Sequence, residues 1–119
     1  MVQHCDHRYL KQTFQVALSF SKPDTVIFLG DLMDYGSMAS DNEYRIFKSR
    51  FDWIFDTKKF NPRIIYLPGD NDIGGEGSDL VTSQKINRFQ SNFPSPNHLL
   101  STQAHYVLVG SLLHFSSYC

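Results

Sequence analysis

The chain has 119 residues, of which 41% are hydrophobic and 14% aromatic, and its formal net charge is −1. This composition is typical of one globular domain and excludes a disordered chain, which would have few aromatic residues and a high net charge. The near balance of charge argues against a nucleic-acid partner bound mainly by electrostatics. No apolar run approaches the roughly 20 residues of a membrane-spanning helix. We also expect no targeting segment in this sequence, because charged residues interrupt its N-terminal part.

Helices and strands are expected to alternate along the chain. Apolar residues at helical spacing predict the first helix and its inward face, namely Leu10, Phe14, Ala17 and Leu18. Ser40 with Glu43 forms a capping-box pattern before the second helix. Short aliphatic runs closed by glycine or proline predict buried strands. The predicted elements in chain order are a helix over residues 7–20 with Asp6 as its N-cap, a strand over 25–29, a helix over 41–56, a strand over 64–67, a helix within 80–93 and a strand over 104–109. Such alternation predicts an α/β fold, with a parallel-rich sheet and flanking helices.

Eight of the 12 acidic residues fall in two short windows, residues 31–43 and 70–79, that contain no Lys or Arg. Each window begins where a predicted strand ends, with Asp31 after the first strand and Asp70 after the second. Open parallel sheets bind ligands at the carboxyl ends of their strands, so Asp31 and Asp70 should meet at one edge if these strands are neighbours. Carboxylates that stay ionised together without basic partners need a cation, and oxygen-rich sites suit Mg²⁺, Ca²⁺ or Mn²⁺.

Two sequence boxes carry a resemblance to a known family. Residues 30–36, GDLMDYG, match the pattern GDxxDxG, and residues 69–72, GDND, stand 39 residues later in the place of a GNHD box. With a predicted strand before each box, the chain resembles the calcineurin-like metallophosphoesterase superfamily over about residues 7–109. The sequence around the boxes is most similar to the membrane-anchored branch of the endoplasmic reticulum and Golgi, which is associated with removal of an ethanolamine phosphate from GPI anchors.

The resemblance implies a mechanism and a role for four residues. In two-metal hydrolysis of a phosphoester, two ions about 3.5–4 Å apart clamp the phosphate and activate a water. The resemblance implies that Asp31 bridges both ions and that Asp70 binds the second ion in the place of an Asn. It implies that Asn71 replaces a His that assists the leaving group, and that Asp34 matches the carboxylate that orients this His. The expected ions are two Mn²⁺, with Fe or Zn as alternatives.

The GDND box leaves one assignment open. A shift of the loop by one residue would make Asn71, rather than Asp70, the metal-binding amide of the family. We interpret Asp72 as an acid that stabilises the loop and Glu76 as a candidate for the rim of the site.

Other boxes of the family lack a counterpart in this sequence. Only Asp6-His7 stands near the place of the first motif, DxH, and its spacing is wrong, while no GHxH box follows later. We therefore expect residues 1–119 to be a partial metallophosphoesterase domain, an incomplete α/β/β/α sandwich, with little or no activity as an isolated chain. The remaining histidines and the two cysteines are not assigned as ligands, namely His4, His98, His105, His114, Cys5 and Cys119.

Two functions are open on this basis. One is a metal-dependent phosphoesterase for a phosphodiester or phosphomonoester, with the ethanolamine phosphate of a GPI-anchor glycolipid in ER-to-Golgi transport as the substrate implied by the branch. The other is a truncated, catalytically impaired pseudoenzyme or an acidic binding module. The resemblance implies a location at the endoplasmic reticulum or Golgi membrane, through segments outside this sequence, and no nucleic-acid partner. Neither a P-loop nor a serine nucleophile elbow is present, and a doubly wound receiver-like module is the remaining alternative for the fold.

Overall fold

The computed structural model describes residues 7–95 and the backbone of residues 106–109. The elements in chain order are α1 His7–Ser21, β1 Thr25–Phe28, α2 Asp41–Ile54, β2 Arg63–Tyr66, α3 Asp70–Ile73, α4 Ser83–Asn92 and β3 Tyr106–Val109. The three strands form one parallel sheet in the order β2-β1-β3, so that β1 lies in the middle. The predicted α/β fold with a parallel sheet and flanking helices is confirmed.

The predicted elements lie where the sequence pattern places them, with one addition. The one-turn helix α3 is not predicted, because it has only four residues and ends at Gly74 inside a glycine-rich stretch. The predicted capping box at the start of α2 is confirmed, since Ser40 Oγ accepts from the Glu43 N–H and the Glu43 carboxylate accepts from the Ser40 N–H. The expected N-cap Asp6 lies outside the described residues.

Alternate residues of β1 place the core on one face of the sheet. Val26 and Phe28 are 0% and 1% exposed, and the register pairs them with Ile64 and Tyr66 of β2. An aromatic cluster then joins the sheet to the helices: Phe28 contacts Phe14, Phe51, Phe55 and Tyr66, while Phe51 and Tyr66 contact Phe93. Each fully buried phenylalanine contributes roughly 1.5–3 kcal/mol, so this cluster holds α1, α2 and the end of α4 on the sheet.

Two expectations about burial are wrong. The strand predicted over residues 64–67 is half-buried rather than fully buried, because β2 is the edge strand of the described sheet and its outer side has no strand neighbour among the described residues. The Ser95 hydroxyl instead meets that edge, accepting from the Tyr66 N–H at 2.7 Å and donating to the Tyr66 carbonyl at 3.1 Å. Ala17, expected to face inward, is exposed, because it lies off the narrow stripe through Phe14 and Leu18.

None of the described helices is both long enough and apolar enough to cross a membrane.

Candidate active site

The carboxyl ends of β1 and β2 lie side by side and bring the two acidic boxes together. Just past the last strand pair, the Leu67 N–H donates to the Phe28 carbonyl at 2.9 Å. Beyond this point, the Asn71 N–H of the GDND box donates to Oδ1 of Asp31 in the GDxxDxG box at 3.1 Å. The two boxes therefore lie at one edge of the sheet, while the expected meeting of the Asp31 and Asp70 carboxylates stays a prediction.

Two glycines allow this close approach. A Cβ at Gly30, whose φ is 96°, would lie 2.9 Å from the Gly69 nitrogen, and a Cβ at Gly69 would lie 2.8 Å from Cγ of Asp31. Asp31 itself has a φ of 50°, in the left-handed region that few residues other than glycine adopt. The turn thus aims the Asp31 carboxylate at the second box at the cost of backbone strain, which is common at functional sites.

Asp72 locks the two loops to each other. Its side chain is 1% exposed and accepts hydrogen bonds from the N–H groups of Leu32 at 3.0 Å, Met33 at 3.1 Å and Gly69 at 2.8 Å. Burial raises the pKa of this carboxyl to about 6, while the three backbone donors oppose that rise. The interpretation of Asp72 as a loop-stabilising acid agrees with this geometry.

Asp70 is the exposed acid of the second box. It begins α3, and its carbonyl accepts from the Gly74 N–H at 2.8 Å. A Cβ placed on Gly75 would lie 3.6 Å from Oδ1 of Asp70 and 3.5 Å from Cγ2 of Val81. The side chain therefore borders the glycine-rich loop and is accessible to solvent, as a ligand for an incoming ion must be. Glu76, the rim candidate, is exposed on the same loop.

The other two predicted site residues, Asn71 and Asp34, have different surroundings. Asn71 is held through its backbone, donating to Asp31 and accepting from the Ser37 N–H at 2.8 Å. Asp34 lines a cavity of ≈ 30 Å³ together with Phe47 and Arg50 of α2. No hydrogen bond joins Asp34 to Asn71 within residues 7–95, and the roles assigned to both residues stay predictions.

The acids of the site take part in none of the ion pairs between described residues. Those pairs engage Asp41 with Arg88, Asp52 with Lys48, and Asp79 with Lys85. Two acids of the acidic windows, Asp41 and Asp79, thus find basic partners on α4 that the windows themselves lack. Asp31 and Asp70 belong to none of these three pairs.

The side chains predicted for this edge are of the chemical type that binds divalent cations. Asp31 and Asp70 offer carboxylate oxygens and Asn71 offers an amide oxygen, which hard cations prefer as ligands. Among residues 7–95 there is no group of three or more His, Cys, Asp or Glu side chains placed to hold an ion. The described residues therefore do not form a complete ion-binding group, and the assignment of Asp31 and Asp70 as metal ligands stays a prediction.

Sequence patterns did not reveal the hydrogen bonds that join the loop after the first box, the second acidic window and α4. Asp79 accepts hydrogen bonds from the Ser37 hydroxyl and from Lys85 of α4, and its carbonyl accepts from the Gly75 N–H at 2.7 Å. None of these residues belongs to a recognisable box. The sequence held one signal of these contacts. The acidic windows contain no Lys or Arg, so any basic partner of their acids had to come from another segment, which is α4.

Comparison with known proteins gives one family. The model of the calcineurin-like phosphoesterase family matches residues 4–115 of the chain. Similar curated proteins include Cell division control protein 1 of Saccharomyces cerevisiae, 32% identical over 90% of this chain and 21% of the relative. They also include Metallophosphoesterase 1 of Danio rerio, 27% identical over 92% of this chain and 29% of the relative, and of Ailuropoda melanoleuca, 33% identical over 87% and 26%.

The chain spans 21–29% of the length of these curated relatives. No solved structure gives a significant match. The family match covers both acidic boxes and the sheet that brings them together. The chain therefore belongs to the calcineurin-like phosphoesterase family.

Proposed function

We propose that this chain forms part of a metal-dependent phosphoesterase site in which Asp31 and Asp70 are ligands of the ions. The observation that supports it most is the hydrogen bond from the Asn71 N–H to the Asp31 carboxylate, which joins the two boxes at the carboxyl edge of the sheet. Ligands of open parallel sheets bind at this edge. Family membership supports the chemistry, because calcineurin-like phosphoesterases use divalent metals.

Within this proposal, Asn71 and Asp34 keep the roles implied by the family pattern. Asn71 stands near the leaving group, where its amide can donate a hydrogen bond but cannot supply a proton near neutral pH. A missing general acid lowers a rate by roughly 10²–10⁴. We therefore propose slow turnover unless another acid protonates the leaving group.

Hydrolysis of an aryl phosphate by the protein in the presence of Mn²⁺ tests the proposal. The Asp31→Asn variant should lose the Mn²⁺-dependent rate by roughly two orders of magnitude or more, because a ligand shared by the ions is weakened. Asp52→Asn is the matched control, since Asp52 is a carboxylate on α2 paired with Lys48 and distant in sequence from both boxes. Equal Mn²⁺-dependent rates above background in the two variants would contradict the assignment of Asp31.

The finer features of the function are also proposals. We propose Mn²⁺ as the ion, with Fe or Zn as alternatives, and the ethanolamine phosphate of a GPI-anchor glycolipid as the substrate, at the endoplasmic reticulum or Golgi membrane. The support is similarity to relatives named Metallophosphoesterase 1. Mass spectrometry of a GPI glycolipid incubated with the protein and Mn²⁺ should find the ethanolamine phosphate released, and an intact glycolipid would count against this substrate.

A catalytically impaired relative is the second candidate function. The observation that favours it is Asn71, which stands where the family pattern has a His. In that case the acidic edge would still bind a divalent ion, and the aryl phosphate assay would give no Mn²⁺-dependent rate above that of the Asp31→Asn variant.

A further inference from the structure

Arg88 of α4 reaches from its helix to the loop that follows the GDxxDxG box. Its Nη2 donates to the Gly36 carbonyl at 2.7 Å, and its Nη1 donates to the Ala39 carbonyl at 2.9 Å. The Arg88 side chain is only 24% exposed, so both bonds form largely away from water. The ion pair with Asp41 adds little, because the Asp41 side chain is 94% exposed.

The guanidinium also lies over the ring of Tyr44. Its Cζ lies 4.3 Å from the centre of the Tyr44 ring, and Tyr44 is 3% exposed within α2. A guanidinium can stack on a ring while its nitrogens fork to two acceptors, a geometry that Lys cannot reproduce. Arg88 thus joins α4, α2 and the loop through one rigid group.

The loop held by Arg88 in turn holds Asn71. The Ser37 N–H donates to the Asn71 carbonyl at 2.8 Å, and a Cβ at Gly36 would lie 3.3 Å from the same oxygen. On its other side, the Asn71 N–H donates to the Asp31 carboxylate at 3.1 Å. A continuous set of contacts therefore runs from Arg88 to the carboxylate proposed to bridge the ions.

We propose that Arg88 is a positioning residue. It fixes Asn71 of the GDND box against the GDxxDxG box and thereby places the Asp31 carboxylate. The link to metal binding rests on the proposed function. The placement of Asn71 by Arg88 does not depend on the proposed function, because this placement can be measured in protein without metal.

Arg88→Lys tests the pair of hydrogen bonds to the Gly36 and Ala39 carbonyls, since this substitution keeps the positive charge and loses the second hydrogen bond. Arg45→Lys is the matched control, because Arg45 is exposed on α2 and its guanidinium bonds to Asn42 one turn away. In metal-free protein, Arg88→Lys should lower the hydrogen-exchange protection of the Ser37 and Asn71 amides by about tenfold, the effect of one lost hydrogen bond to a charged group. The protection of the β1 amides should not change, and Arg45→Lys should leave all of these amides as they are.

Calorimetry with Mn²⁺ then connects the placement to the site. Arg88→Lys should weaken the Mn²⁺ affinity by about tenfold, in line with the 10–100-fold cost of losing a group that orients a ligand. Unchanged exchange at Ser37 and Asn71, a uniform loss of protection through β1, or altered exchange with an unchanged Mn²⁺ affinity would each overturn the proposal. If the unmodified protein binds no Mn²⁺, the proposed function fails, while the exchange data still decide whether Arg88 places Asn71.

Discussion

At the scale of single residues, Asp72 is the acid whose surroundings are most fully determined. Its carboxylate is buried, and it accepts hydrogen bonds from the N–H groups of Leu32, Met33 and Gly69. The GDND box suggested a loop-stabilising acid, because Asp72 closes the box. The identity of two donors could not be predicted, since Leu32 and Met33 lie about 40 positions earlier and meet Asp72 only when β1 and β2 pair.

The Asp72→Ala variant should be strongly destabilised. Removal of the carboxylate leaves three backbone N–H groups without their acceptor, and we expect the free energy of unfolding to fall by about 2–4 kcal/mol. Urea unfolding of both proteins measures this loss. Asp52→Ala is the control, where an exposed ion pair is removed and a change of at most about 0.5 kcal/mol is expected. Equal losses in the two variants would show that Asp72 does not lock the loops.

Asp34 shows where prediction from single residues ends. Its spacing from Asp31 fits the GDxxDxG pattern, but spacing does not determine the direction of a side chain after a turn. In the structure Asp34 lines a small cavity together with Phe47 and Arg50 of α2, a position that its spacing from Asp31 could not reveal.

At the scale of elements, α4 does more than cover the sheet. Its apolar side follows helical periodicity, and Phe89 and the C-cap residue Phe93 are buried. Its polar side carries Lys85 and Arg88, which contact residues of the two acidic windows. Periodicity predicts only which side of a helix is apolar, so it could not predict the contacts of Lys85 and Arg88 with the acidic windows.

The hydrogen bonds that Asp79 accepts from Lys85 of α4 and from Ser37 predict a pH dependence of stability. Hydrogen bonds from Lys85 and Ser37 lower the pKa of the Asp79 carboxyl below its ordinary value of 3.8. Ionised Asp79 therefore stabilises the folded state at pH values above that ordinary value, and this contribution is lost as the pH falls through the lowered pKa. Asp79→Asn should reduce the free energy of unfolding near neutral pH, and the difference from the unmodified protein should shrink as the pH falls below 3.8.

Urea unfolding of the two proteins over this range of pH measures the difference. In a Lys85→Met background, the same Asp79→Asn substitution should show a weaker pH dependence, because the main cause of the lowered pKa has been removed. A difference that does not vary with pH would contradict a role for the ionised Asp79 carboxylate.

At the scale of the whole molecule, alternating helices and strands were enough to predict a parallel sheet and the edge at which the acidic boxes meet. Strand order explains both the success and the error in that prediction. Because β1 lies in the middle, its carboxyl end adjoins that of β2, as the site requires. Because β2 lies at the edge of the described sheet, its residues are only half-buried, and a short apolar run cannot distinguish a central strand from an edge strand.

The whole account depends on the edge where Asp31 meets the GDND box being a metal site. Calorimetric titration of the protein with Mn²⁺, repeated with Asp31→Asn and with Asp52→Asn, tests this most directly. The account predicts binding that Asp31→Asn weakens by at least about tenfold, since loss of a group that only orients a ligand already costs 10–100-fold, and that Asp52→Asn leaves unchanged. Mn²⁺ binding of equal affinity in all three proteins, or no binding in any of them, would contradict it.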